Sequence, residues 1–269
     1  MLKDINKIII HLSDLDEANL VLKKGLHVAQ NHQASVEILY VHESPLFEVP
    51  DYFLSKKREG LDTEKVKDEI EAKVKELAPE IEVAIFVKID DTADRIWALA
   101  RNHTNTLVIT AYHEKITQTI ITKITQPVLV LKSETNTYEK LALLLNTNSN
   151  DIECVDDIKT HFNKSDIHLL YDYRYVIDPS MDVGLQNIQL IEQAERKSFE
   201  EIKEKSGLDG EFFVDGSFLG DDLVQYVQAK RVDIVVACAN EEDFFVADTI
   251  TSKLLEQVTC DILIDKEKL

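Results

Sequence analysis

Short continuous runs of Val, Ile and Leu alternate along this chain with longer stretches whose apolar residues recur every three or four positions. Leu15, Ala18, Leu22, Leu26 and Ala29 recur in that way, as do Val246, Ile250, Leu254, Leu255 and Val258, and this is the spacing of one face of a helix. The short runs are strand-length and lack a polar alternate, as expected of strands covered on both faces. The first half then reads strand 7–13, helix 15–31, strand 35–43, helix 60–77, strand 81–89, helix 92–102, strand 105–112, helix 114–124 and strand 127–133. The second half reads strand 140–147, helix 149–163, strand 166–173, helix 184–206, strand 210–218, helix 220–230, strand 232–239, helix 245–258 and strand 260–266. Regular βα alternation predicts an α/β fold with doubly wound parallel sheets and right-handed crossovers.

The same order occurs twice, and faint echoes accompany it. "ILYVH" at 38–42 matches "LLYDY" at 169–173, and "IWALARNHTNTLVI" at 96–109 aligns without gaps to "LVQYVQAKRVDIVV" at 223–236. Between the copies lies "SETNTYE" at 133–139, polar apart from Tyr138. Two tandem domains follow, 1–134 and 135–269, each of ordinary domain size.

Three groups of segments resemble the universal stress protein family in its tandem two-domain form. They are "KIIIHLSDLDEANLVLKKGLHVAQNHQASVEILYVHE" at the start, "NTLVITAY" with "ITQPVLVLK" closing the first half, and "VDIVVACA" with "VTCDILID" in the second. The resemblance implies two five-stranded sheets ordered 3-2-1-4-5. It also implies that the last strands, Val128–Leu131 and Ile262–Ile264, meet within one chain as an intramolecular pseudo-dimer, and it leaves a further homodimer open. Nucleotide-binding members carry an Asp after the first strand and a glycine-rich segment after the fourth. This sequence has Ser13 and Asn146 at the first place, and "ITAYHEKITQT" and "VACANEEDFFVADT" at the second. No glycine occurs from Leu61 to Val183. Glycine lets backbone amides close on a phosphate without a Cβ in the way. Glu241, Glu242 and Asp243 would repel one. The turns are therefore expected to be plain connectors that no longer hold ATP.

Charge agrees. The net charge is −20, a field that repels nucleic acid and anionic lipid. The longest apolar runs are far too short to span a bilayer, and the first residues lack a secretory pattern, so a cytoplasmic location is expected. Cys154, Cys238 and Cys260 form no CxxC pair; three reduced thiols are expected, and neither a disulfide framework nor a zinc knuckle.

Candidate binding residues lie at strand ends, where open α/β sheets take their ligands. His11, His42 and His113 follow or close strands one, two and four of the first half, beside Ser13. Imidazoles converging there would suit an anion, a small polar ligand or a metal ion, although no metal-ligand spacing accompanies them. Asn146, Asp172 and Cys238, with Asn148 and Asn240, hold equivalent places in the second half and offer hydrogen bonds without a base or nucleophile. Loops 44–60 and 174–184 are rich in apolar side chains and are expected to fold over the sheets, or else to dock an apolar ligand or partner. The function expected is a non-catalytic stress-response binding or regulatory protein, without cofactor or metal, serving an unknown protein or small-molecule ligand. The alternatives are an ATP-binding member with an atypical loop, and a small-molecule or metal sensor built on the histidine-lined cleft.

Overall fold

The computed structural model describes residues 5–43, 61–103, 105–135, 137–145, 151–174, 185–215, 220–239 and 250–266. The chain divides into two compact units, Asp4–Leu131 and Lys132–Leu269. The expected loops at 44–60 and 174–184 lie outside the described residues, except that Arg174 ends a strand.

The first unit runs β1 (Lys7–Leu12), α1 (Ala18–His32), β2 (Ser35–Glu43), α2 (Thr63–Leu77), β3 (Val83–Asp90), α3 (Thr92–Ala100), β4 (Thr106–Ala111), α4 (Glu114–Lys123) and β5 (Val128–Leu131). Its strands lie in the order β3-β2-β1-β4-β5, and every neighbouring pair is parallel. All six residues of β1 are buried, as a central strand between two helical layers requires. Alternation sorts them by face. Lys7, Ile9 and His11 share one side, where the Lys7 ammonium reaches the Leu99 carbonyl in α3 at 3.4 Å. Ile8, Ile10 and Leu12 take the other side, against α1. That helix comes so close that a Cβ at Gly25 would lie 2.6 Å from Ile10 Cδ1.

Local chemistry sets the helix starts. Asp62 and Asp91 cap α2 and α3 by accepting from the backbone N–H groups of Lys65 (3.1 Å) and Asp94 (2.7 Å), which satisfies donors the helix leaves free. α1 begins at Ala18 rather than Leu15 because Asp14 Oδ1 accepts from the N–H groups of both Asp16 and Glu17 at 2.9 Å. This holds the chain in an Asx-type turn before the helix can start.

The second unit repeats the plan: β6 (Lys140–Leu144), α5 (Asp151–His161), β7 (Asp166–Arg174), α6 (Leu185–Ser206), β8 (Asp209–Asp215), α7 (Asp221–Lys230), β9 (Ile234–Ala239), α8 (Ile250–Gln257) and β10 (Asp261–Lys266). The order is β8-β7-β6-β9-β10, parallel throughout. The segment leading into it is fastened to this unit by two aspartates. Asp261 Oδ1 accepts from the N–H groups of Lys132 and Ser133 at 2.9 Å each. Asp233 Oδ2 accepts from those of Glu139 and Lys140 at 2.9 and 2.8 Å.

One expectation is corrected here. Cys154 of α5 and Cys238 of β9 are joined as a disulfide, with Cα atoms 6.8 Å apart, and Cys260 is a free, buried thiol. The pairing has no short-range signature because the partners are 84 residues apart; the helix-on-sheet packing brings them together. Burial pushes the Cys260 thiol up to about 11, so it is poorly reactive near neutral pH.

Candidate functional site

In the first sheet the direction of winding reverses between β1 and β4, and ligands of open α/β sheets bind in the crevice beyond such strand ends. The β1–α1 turn supplies Ser13, Asp14 and Glu17 to this crevice, and the β4–α4 turn supplies His113. The second turn is short. Ala111 ends β4, Glu114 opens α4, and only Tyr112 and His113 connect them.

Both connecting amides are already used. The Tyr112 N–H donates to the Leu131 carbonyl at 3.1 Å, and the His113 N–H donates to Thr117 Oγ1 at 2.9 Å. Across the crevice His113 Nε2 faces Glu17 Oε2 at 2.9 Å. Both atoms are shut off from solvent, and their approach lacks the alignment of a hydrogen bond. Asp14 completes a group in which one donor atom each from Asp14, Glu17 and His113 lies within 4.8 Å of the others.

His11, one residue before the end of β1, is 1% exposed. Its Nδ1 is 2.9 Å from Thr110 Oγ1, and that hydroxyl lies 3.1 Å from the Ala111 carbonyl, to which it donates. The Thr110 oxygen is then the acceptor for His11 Nδ1–H, which leaves Nε2 with its lone pair. Among the described residues that lone pair has no partner, and neither has Ser13 Oγ. Burial, reinforced by the nearby His113, holds the His11 imidazole down at about 3. It is neutral at physiological pH.

The structure therefore brings His11, Ser13 and His113 to one end of the sheet and separates His42 from them. Leu39 is the register partner of His11. His42 stands three residues further along β2, so its side chain takes the opposite face, where it is exposed. A three-histidine cleft is not formed. The family resemblance points to Ser13, at the place of the relatives' Asp, and not to Asp14 and Glu17. The carboxylates lie one and four residues on, and the Asp-x-x-Glu spacing directly after an apolar strand was the available signal.

In the second unit Asn146, Asn148, Asn240, Glu241, Glu242 and Asp243 lie outside the described residues. Asp172 is buried in β7. Leu144 pairs in register with both Leu170 and Ala237, so Asp172 and Cys238 project to opposite faces. Cys238 is moreover consumed by its disulfide. These two residues do not form one site. Among the described residues, no helix is long and apolar enough to cross a membrane.

Comparison with known proteins agrees with this architecture. Residues 5–132 match the model of the Universal stress protein family. A protein of unknown function from Pseudomonas aeruginosa PAO1 superposes with a TM-score of 0.68 at 14% identity, covering 98% of this chain and 94% of its own. A universal stress protein from Archaeoglobus fulgidus DSM 4304 gives 0.62 at 10% identity, covering 98% and 97%. At such identities the likeness is one of fold. No curated protein sequence matches the chain.

Proposed function

We propose that this chain, whose residues 5–132 match the Universal stress protein family model, is a member of that family that serves as a non-catalytic binding or regulatory protein and no longer holds ATP by a phosphate loop. One observation carries this reading: the β4–α4 connection is two residues long, and the N–H groups of both are spent inside the fold. A triphosphate needs several free backbone amides converging on it, and glycine to let them approach. The facing side chains oppose it further. Asp14 and Glu17 place carboxylates across the crevice, and Glu114 opens the helix whose N-terminus would otherwise attract an anion.

Each lost or repelled contact costs about 1.5–3 kcal/mol, and each ~1.4 kcal/mol is tenfold in affinity. Three together take a micromolar site to the millimolar range or beyond. Calorimetry of the full-length protein with ATP and magnesium is expected to show no saturable binding at sub-millimolar nucleotide. A micromolar dissociation constant, or ATP retained through purification, overturns the reading.

A further inference from the structure

We propose that the crevice between β1 and β4 is a divalent transition-metal site whose ligands are the carboxylates of Asp14 and Glu17 and the imidazole of His113. This deepens the reading above, because it names a ligand class for the same crevice and rests on that crevice being a binding site.

Unsatisfied polar atoms carry the inference. Buried polar groups are almost always hydrogen-bonded, and each exception calls for a physical account. Here His11 Nε2 and Ser13 Oγ are shielded and without a hydrogen-bond partner among the described residues, and the equally shielded Glu17 Oε2 and His113 Nε2 meet only as an unaligned pair. A plain Glu17–His113 ion pair would account for two of these atoms and leave His11 and Ser13 unexplained. A cation accounts for more: it takes Glu17 and His113, and it stands near His11, whose Nε2 is buried without a partner and whose ring feels the His113 charge.

The geometry fits a small ion. Metal–ligand bonds of ~2.0–2.2 Å to nitrogen and oxygen set neighbouring ligand atoms roughly 3.0–3.5 Å apart. Glu17 Oε2 and His113 Nε2 stand at 2.9 Å, and the three donor atoms lie within 4.8 Å of one another, so an ion needs at most a slight closing of the group around it. Asp14 is already oriented. Two backbone N–H groups hold its Oδ1, and such outer-shell bonds are what fix ligating carboxylates. Two carboxylates and a neutral imidazole also balance a double positive charge. The mixed oxygen and nitrogen set suits zinc, cobalt, iron or manganese above magnesium or calcium, which prefer oxygen throughout.

The test uses the full-length protein freed of metal by a chelator. Cobalt(II) titration, followed by visible absorption, is expected to saturate at one ion per chain. Zinc should displace that ion, and excess magnesium or calcium should not. Glu17→Gln and His113→Ala should each weaken binding by more than about tenfold, while His42→Ala on the opposite face leaves it unchanged. Asp14→Asn keeps an oxygen for the two N–H groups and removes only the ligand charge; it should weaken cobalt with circular dichroism unaltered. Absence of saturable cobalt or zinc binding below millimolar, or binding that survives both Glu17→Gln and His113→Ala, overturns the proposal. ATP binding to the metal-free protein would reject the nucleotide reading and leave this one standing, whereas failure of metal binding alone leaves the nucleotide reading intact.

Discussion

The Tyr138 hydroxyl donates a 2.8 Å hydrogen bond to Asp261 Oδ2, and the other oxygen of that fully buried carboxylate takes the N–H groups of Lys132 and Ser133. One side chain at the start of β10 thus clamps both ends of the segment that leads into the second unit. Tyr138→Phe removes a hydrogen bond to a charged acceptor, a loss of about 1.5–3 kcal/mol. Burial first, and the Asp261 carboxylate next, hold Tyr138 ionisation well above that of a free tyrosine. Its contribution is therefore complete below the ordinary value of about 10 and is lost as pH rises past it. Urea unfolding at about pH 8 and about pH 11 should show the gap between wild type and Tyr138→Phe shrinking at the higher pH. A gap that does not change with pH would remove tyrosine ionisation from the account.

Gly210 is required by close backbone approach. It sits opposite Leu169 in the β7–β8 register, and a Cβ there would lie 2.3 Å from the Leu169 carbonyl oxygen and 2.9 Å from its carbon. Those are backbone atoms of a neighbouring strand and cannot swing aside as a side-chain tip can. Gly210→Ala is expected to destabilise by about 1–3 kcal/mol, the usual cost of overpacking, read as a lower urea midpoint. An unchanged midpoint would mean that β8 is not held this closely.

Most of the fold was legible because the period of the apolar residues fixes element type. The expected strands and helices all occur in order among the described residues, and the 3-2-1-4-5 arrangement implied by the family resemblance is the one found in each sheet. Helix starts were less legible. α1 begins late because Asp14 holds a turn. The candidate crevice was legible only as a set of strand ends. His11 and His113 were placed correctly at strand ends, but which face a side chain takes depends on register, and a step of one residue reverses it. His42 was misassigned for that reason. Cys154 and Cys238 were read as separate because nothing local joins a helix to a strand 84 residues away.

That disulfide makes a direct prediction. In protein unfolded without reductant, alkylation should label Cys260 alone; after reduction it should label all three cysteines. Reduction should lower stability by about 2–4 kcal/mol, as for a cross-link closing a long loop, and Cys154→Ser should reproduce the loss. Three labelled thiols in protein purified without reductant would return these residues to the reduced state that the sequence suggests.

His11 offers the last prediction, on acid stability. Its imidazole is buried and neutral, held at about 3 by burial and by His113, whereas in the unfolded chain it titrates near about 6.5. The folded-state value is depressed, so His11 contributes fully above about pH 6.5 and loses its contribution as pH falls toward 3. Between those limits the unfolded state binds one more proton, a slope of about 1.4 kcal/mol per pH unit. His11→Asn keeps a donor toward Thr110 Oγ1 and removes the titrating ring. In chelator-treated protein, the stability difference between wild type and His11→Asn should be constant above about pH 7 and should fall by about 1.4 kcal/mol for each unit of acidification below about 6.5. Chelation keeps proton competition at Asp14, Glu17 and His113 from adding a metal-linked slope of its own. A difference that stays flat down to about pH 4.5 would mean that His11 takes up its proton in the folded protein almost as readily as in the unfolded chain, and that the space around Nε2 is wet.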